Sequence, residues 1–158
     1  MSLYSKDHIK FLKAIVKHNV RFLIIGGHAA IYHGVNRNTG DLDILIEPTK
    51  ENGGKLIQAL QSIKLEIPDT QPEEFEKPLV LAFGFAPDAV DILNYTPGVD
   101  FKEVFENSVE VDYEGLKVKM IDIRDLIKNK AALNRTGDKA HLDNYDLAVL
   151  KTIIEKRK

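Results

Sequence analysis

The 158-residue sequence predicts an α+β (α/β-like) domain, a central mixed sheet flanked by helices with a helical C-terminus. Three observations carry this. Amphipathic helical periods open and close the chain, short β-branched runs are grouped centrally, and no repeat, low-complexity tract or long linker divides them. One domain over residues 1–158 is expected, with a core of about residues 20–120 and C-terminal helices at about 122–156.

Ser5 to Asn19 reads as the first helix, because Ile9, Leu12, Ile15 and Val16 follow a helical period and Lys6, Lys10, Lys13 and Lys17 fall between them. Arg21 to Ile25 is a short apolar strand that ends at Gly26-Gly27, and GGHAAIYHG forms a short helix stopped at Gly34. After the turn cluster NRNTG, Asp41 to Glu47 alternates as a strand. Thr49 caps a helix to about Ile63 despite Gly53-Gly54 near its start. Residues 65–77, polar, acidic and proline-containing, read as an exposed, mobile connection. Strands follow at Leu79–Phe85 and Ala89–Leu93, joined by the turn Ala86-Pro87-Asp88. Phe101 to Asn107 is a short helix, and Val109–Tyr113 and Leu116–Met120 form a hairpin about Glu114-Gly115. Asp122 opens the next helix with Asp125 as a capping-box partner, and Asp138 caps a last helix to about Lys156.

Composition excludes several classes of chemistry. With no cysteine there is no disulfide scaffold, thiolate zinc site, iron–sulfur cluster or thiol nucleophile. No His/Asp/Glu grouping has zinc spacing, Ser5, Ser62 and Ser108 lack an elbow motif, and GGHAAIYHG lacks the Lys-Ser/Thr of a Walker loop. Aromatic residues are 8% and do not interleave with a basic stripe, which argues against a single-strand RNA platform. The N-terminus has no apolar signal region and no apolar run could span a bilayer, so a cytoplasmic protein without membrane partners is expected. The net charge of −2 hides an asymmetry: residues 1–115 hold 11 Lys/Arg against 18 Asp/Glu, and residues 116–158 hold 11 against 6. Cations at helix C-termini account for the basic end simply, and a basic face for a polyanionic ligand is the sharper alternative.

The chemistry concentrates in IGGHAAIYHGVNRNTGDLDILI. Asp41 and Asp43, two apart on a strand, project from one face while Leu42, Ile44 and Ile46 point to the other. Two carboxylates so placed repel each other, and a hard divalent cation is their natural partner. Asp91 in AVDILNY is a third such residue. Three carboxylates on adjacent strands can hold two metal ions about 4 Å apart, as in phosphoryl transfer. Gly26-Gly27, closing a strand and opening a helix, lets backbone amides approach a phosphate.

This combination resembles the minimal nucleotidyltransferases of the DNA polymerase β-like superfamily, particularly small bacterial proteins related to the abortive-infection nucleotidyltransferase toxins. The matching residues are Gly26, Gly27, His33, Gly34, Arg37, Thr39, Asp41 and Asp43, with Asp91 as the downstream acid. DLIKNKAALNRTGDKAHLD is similar to the family's C-terminal block, although Arg135, Asp138 and Asp143 have no one-to-one counterparts. The resemblance implies transfer of a nucleoside monophosphate from an NTP to a hydroxyl, with release of pyrophosphate. Asp41, Asp43 and Asp91 would be catalytic and bind Mg²⁺, for which Mn²⁺ can substitute. Gly26, Gly27, His28, Arg37, Thr39 and Lys130 would contact nucleotide and phosphates. Simpler readings stand beside these: Arg37 pairing with nearby carboxylates, Lys128 and Lys130 on a solvated helix face, and His33 as a structural histidine. The acceptor could be an RNA end, a small molecule or a protein side chain. The alternative is an inactive member of the fold that binds nucleotide or a protein partner, such as a toxin–antitoxin component.

Overall fold

The computed structural model describes residues 5–85, 87–113 and 115–157. Ala86 and Glu114 of the two predicted turns, with residues 1–4 and 158, lie outside the described residues. The chain runs α1 (Lys6–Lys17), β1 (Phe22–Ile25), α2 (Gly26–His33), β2 (Asp41–Ile46), α3 (Lys50–Ser62), a 3-10 helix (Pro72–Glu76), β3 (Val80–Phe83) and β4 (Ala89–Leu93). It continues through α4 (Phe101–Glu106), β5 (Val109–Tyr113), β6 (Leu116–Met120), α5 (Ile123–Ala132) and α6 (Asp138–Lys156). No helix among the described residues is long and apolar enough to cross a membrane.

The six strands form one mixed sheet in the order β3-β4-β2-β1-β6-β5. The central β1 and β2 are antiparallel, β2 pairs with β4 in parallel, and β1 pairs with β6 in parallel. Strand alternation then sorts the side chains by face. Leu42, Ile44 and Ile46 of β2 and Val90 and Ile92 of β4 share one face and are all buried in the core. Asp41, Asp43, Asp91 and Leu93 share the other. The four lysines of α1 are exposed while Leu12 and Ile15 are buried, as an amphipathic helix requires.

Side-chain amides and caps fix the joints. Asn52 on α3 accepts from the Arg21 amide and donates to the Arg21 and Glu47 carbonyls, tying α3 across the ends of β1 and β2. Thr49 caps α3 through the Asn52 amide, as expected. Ser5 caps α1 by accepting from the His8 amide, whereas the Ser62 and Ser108 hydroxyls donate to carbonyls three residues earlier.

Three expectations fail. Residues 65–77 are largely exposed as expected but not a loose connection, because Phe75 is fully buried and Asn94 fastens the segment, donating to the Phe75 and Lys77 carbonyls and accepting from the Leu79 amide. Gly53 makes this possible: a Cβ there would lie 2.3 Å from the Phe75 ring, so the glycine in α3 is the seat of that phenyl group. Asp125 does not complete a capping box. Asp122 caps α5 by accepting from the Arg124 amide, and Asp125 is buried and accepts from the Asn107 side chain. Asp138 is the first residue of α6 rather than its cap, which is Gly137 with φ +65°.

Candidate active site

Backbone register assembles the acidic row. Asp43 lies opposite Asp91 on one side and opposite Ile25 on the other, with Asp41 two residues before it on the same face. All three aspartates line a cavity of about 590 Å³. Burial pushes the Asp43 carboxyl up to about 7, and the neighbouring Asp91 and Asp41 charges push the same way. Asp43 and Asp91 are direct cross-strand neighbours on one face, and the Asp91 charge disfavours ionisation of Asp43, a repulsion that a shared proton or a cation would relieve.

The Gly26-Gly27 turn is packed against the site's own side chains. Gly26 has φ +68°, and a Cβ on it would stand 2.2 Å from the Asp43 carboxylate. A Cβ on Gly27 would stand 2.5 Å from the Thr39 hydroxyl and 3.1 Å from the Arg37 guanidinium. Two hydrogen atoms therefore hold open the space into which Asp43, Thr39 and Arg37 fit. Ile25, at the N-cap of α2, provides no side-chain bond, so the first amides of this helix face the cavity end of β1 without a side-chain cap.

A buried charge network from the C-terminal helices forms the opposite wall. Arg37 grips Asp146 with two parallel bonds, Nε to Oδ1 and Nη2 to Oδ2, both 2.8 Å. Lys130 Nζ lies 2.9 Å from Asp146 and 3.5 Å from Asp143. Arg135 closes the chain on Asp143 through Nε and Nη2. Burial pushes the Asp146 carboxyl up, but its bonds to Arg37 and Lys130 outweigh this and hold it below the ordinary range. Arg37, Lys130 and Arg135 also line the cavity, where the Lys130 charge acts on Asp43 and pulls its carboxyl down.

Of the residues singled out from sequence, Asp41, Asp43, Asp91, Gly26, Gly27, Arg37, Thr39 and Lys130 share this cavity and His28 does not. The His28 ring is buried and packs edge-on against His8, with centroids 5.4 Å apart. Burial, then His8 and Arg37, drive it down to about 4, so the ring is neutral. His33 is structural, its Nε2–H donating to the Ile121 carbonyl at 2.7 Å. Lys128 is solvated, but Lys130 is buried rather than on the same exposed face. Arg37 pairs with a carboxylate, but with Asp146 on α6 rather than with Asp41 or Asp43. Sequence reading missed Asp146 and gave Asp143 no role. Their signal was an acidic pair spaced i, i+3 on the stripe of α6 that also holds buried Leu150.

Among the described residues no three Asp, Glu or His side chains stand ready as a cage for one ion. Magnesium seldom uses such a cage, binding instead through one or two carboxylates, waters and substrate phosphates. An all-oxygen row of carboxyls in cross-strand register, lining one cavity, fits that mode.

The six-stranded mixed sheet with flanking helices and a helical C-terminus is a fold found elsewhere. Two solved structures share it. The lincosamide antibiotic adenylyltransferase LnuA in its lincomycin-bound form is 16% identical, with a TM-score of 0.56 over 95% of this chain and 98% of its own. ANT(2")-Ia in complex with adenylyl-2"-tobramycin is 20% identical, with a TM-score of 0.51 over 94% and 88%. No family model matches the chain, and no curated protein matches it in sequence.

Proposed function

We propose that this protein is a metal-dependent nucleotidyltransferase that moves a nucleoside monophosphate from an NTP to a hydroxyl acceptor. The observation that carries this reading is the register placing Asp43 between Asp91 and the Ile25–Gly26 turn, in a cavity also lined by Arg37, Thr39 and Lys130. The fold it shares with an adenylyltransferase and with ANT(2")-Ia supports the same class.

The acceptor oxygen bonds to the α-phosphorus, the bond from that phosphorus to the bridging oxygen breaks, and pyrophosphate leaves. Asp91 takes the hydroxyl proton. The first amides of α2 at Gly26-Gly27 meet the terminal phosphates, with Thr39 beside them. Lys130 contributes a fixed positive charge that Asp143 and Asp146 hold in place. Arg37 has given its Nε and Nη2 to Asp146 and its Nη1 to the Asn38 carbonyl, so it chiefly fixes the cavity wall and adds charge to it. Asp41, Asp43 and Asp91 would hold Mg²⁺, or Mn²⁺ in its place, which would supply charge to offset the triphosphate and polarise the phosphoryl group. Small molecules are favoured as acceptors, by analogy with the lincomycin and tobramycin adduct of the two neighbours.

The test is transfer of label from α-³²P-NTPs to a panel of hydroxyl compounds with Mg²⁺. Wild-type protein should label an acceptor and Asp43→Asn should not; equal labelling by both would remove Asp43 from the mechanism.

A further inference from the structure

On the nucleotidyl-transfer reading, in-line displacement sets the acceptor opposite the leaving pyrophosphate. The pyrophosphate goes to the Gly26-Gly27 side of Asp43, so the acceptor approaches from beyond Asp91, across β4 and the edge strand β3. The sheet is aliphatic there. Ala82 lies opposite Asp91 and Val80 opposite Leu93, all four on the aspartate face. Val80 and Leu93 line the cavity together with Leu133 at the end of α5 and Leu142 on α6. Val80 is 59% exposed and Leu142 43%, although both are aliphatic. Polar groups flank this ledge on two sides: Arg37, Asn38, Thr39 and Gly40 from the segment leading into β2, and Lys130, Arg135 and Lys139 from the C-terminal wall that also carries Leu133 and Leu142.

We infer that this ledge is the acceptor subsite and that it selects a small molecule whose reacting hydroxyl is carried on a partly apolar body. Apolar surface laid on Val80 and Leu93 leaves water as the hydroxyl reaches Asp91, so affinity grows with the apolar area next to the hydroxyl.

Methyl-, butyl- and hexyl-β-D-glucoside are suitable probes, scored as nucleotide acceptors with ATP and Mg²⁺ and as ligands by titration. If the ledge covers about half of each methylene, wild-type affinity rises about two-fold per methylene, about thirty-fold from methyl to hexyl. Val80→Asp and the milder Val80→Ser should flatten that gradient to less than about three-fold. Thermal unfolding and an ATP titration of each variant identify any that has lost its fold. A wild-type protein that binds ATP but shows no chain-length gradient overturns the subsite and leaves the transfer reading intact. A gradient that survives Val80→Asp, or an oligoadenylate that is labelled in preference to hexyl glucoside, also overturns it. Failure of the folded wild type to bind ATP overturns both.

Discussion

Asp146→Asn isolates the buried charge network. Asp146 is wholly buried and faces Arg37 and Lys130, whose side chains are 13% and 2% exposed. The amide keeps the shape but removes the charge, and its NH₂ meets donors. Lys130 is then left with Asp143 at 3.5 Å, and Arg37 loses the carboxylate that holds its Nε and Nη2. Removing one member of such a group costs about 3–5 kcal/mol, because the remaining charges stay desolvated. At this chain length that is a fall in melting temperature of roughly 10 °C. Asp143→Asn should cost less, since Arg135 is 39% exposed and Lys130 keeps its 2.9 Å contact with Asp146. The pH dependence has a definite sign. A carboxyl held below its ordinary range stabilises the fold above its unfolded pKa, and that stability is lost as pH falls through the folded pKa. The Asp146→Asn deficit should therefore be full at pH 7 and shrink toward pH 3. Urea unfolding at pH 7 and pH 3 measures all of this. A deficit below about 1 kcal/mol at pH 7, or a larger one for Asp143→Asn, would refute the assignment of Asp146 as the centre of the network.

Asp43→Asn should stabilise the metal-free protein while abolishing transfer. A carboxyl raised to about 7 makes the folded state hold a proton that the unfolded state has lost, so stability falls between about pH 4 and pH 7; the variant should be more stable by roughly 2–4 kcal/mol at pH 8, read by urea unfolding in EDTA. His28 works in the opposite direction: lowered to about 4, it supports the fold above the unfolded pKa of about 6.5 and loses up to roughly 3 kcal/mol as pH falls toward 4, a slope that His28→Gln should remove. The adjacent glycines of α3 should part company. Gly53→Ala drives a Cβ into the buried Phe75 ring and should cost about 1–3 kcal/mol, whereas Gly54→Ala, with only Pro72 at 4.0 Å, should stabilise by about 0.5–1 kcal/mol in thermal melts.

The acidic row was legible because strand periodicity is local. A step of two from one aspartate to the next puts both on one face whatever the tertiary structure, and the same rule places Asp91 apart from Val90 and Ile92. The Gly-Gly turn was legible as a turn, but which groups would fill the missing Cβ positions was not, since Asp43 and Thr39 arrive from later in the chain. For Lys130 it was the simpler alternative, a solvated helix face, that ran against a signal that was present. Lys130 follows Ile123, Leu126 and Ile127 on the apolar stripe of α5, so helical period alone puts it inside. What no local pattern reveals is its partner: Asp146 reaches Arg37 across 109 positions of sequence. The acidic, proline-containing composition of 65–77 likewise outweighed a single Phe75, whose burial depends on a glycine in α3 and an asparagine at the end of β4.

Binding of ATP measured by calorimetry with Mg²⁺ and again in EDTA tests the central claim without needing the acceptor. If Asp41, Asp43 and Asp91 form a cation site shared with the triphosphate, affinity should be at least about ten-fold tighter with Mg²⁺, and Asp43→Asn should erase the difference. Equal affinity in Mg²⁺ and EDTA for the wild-type protein would contradict the account.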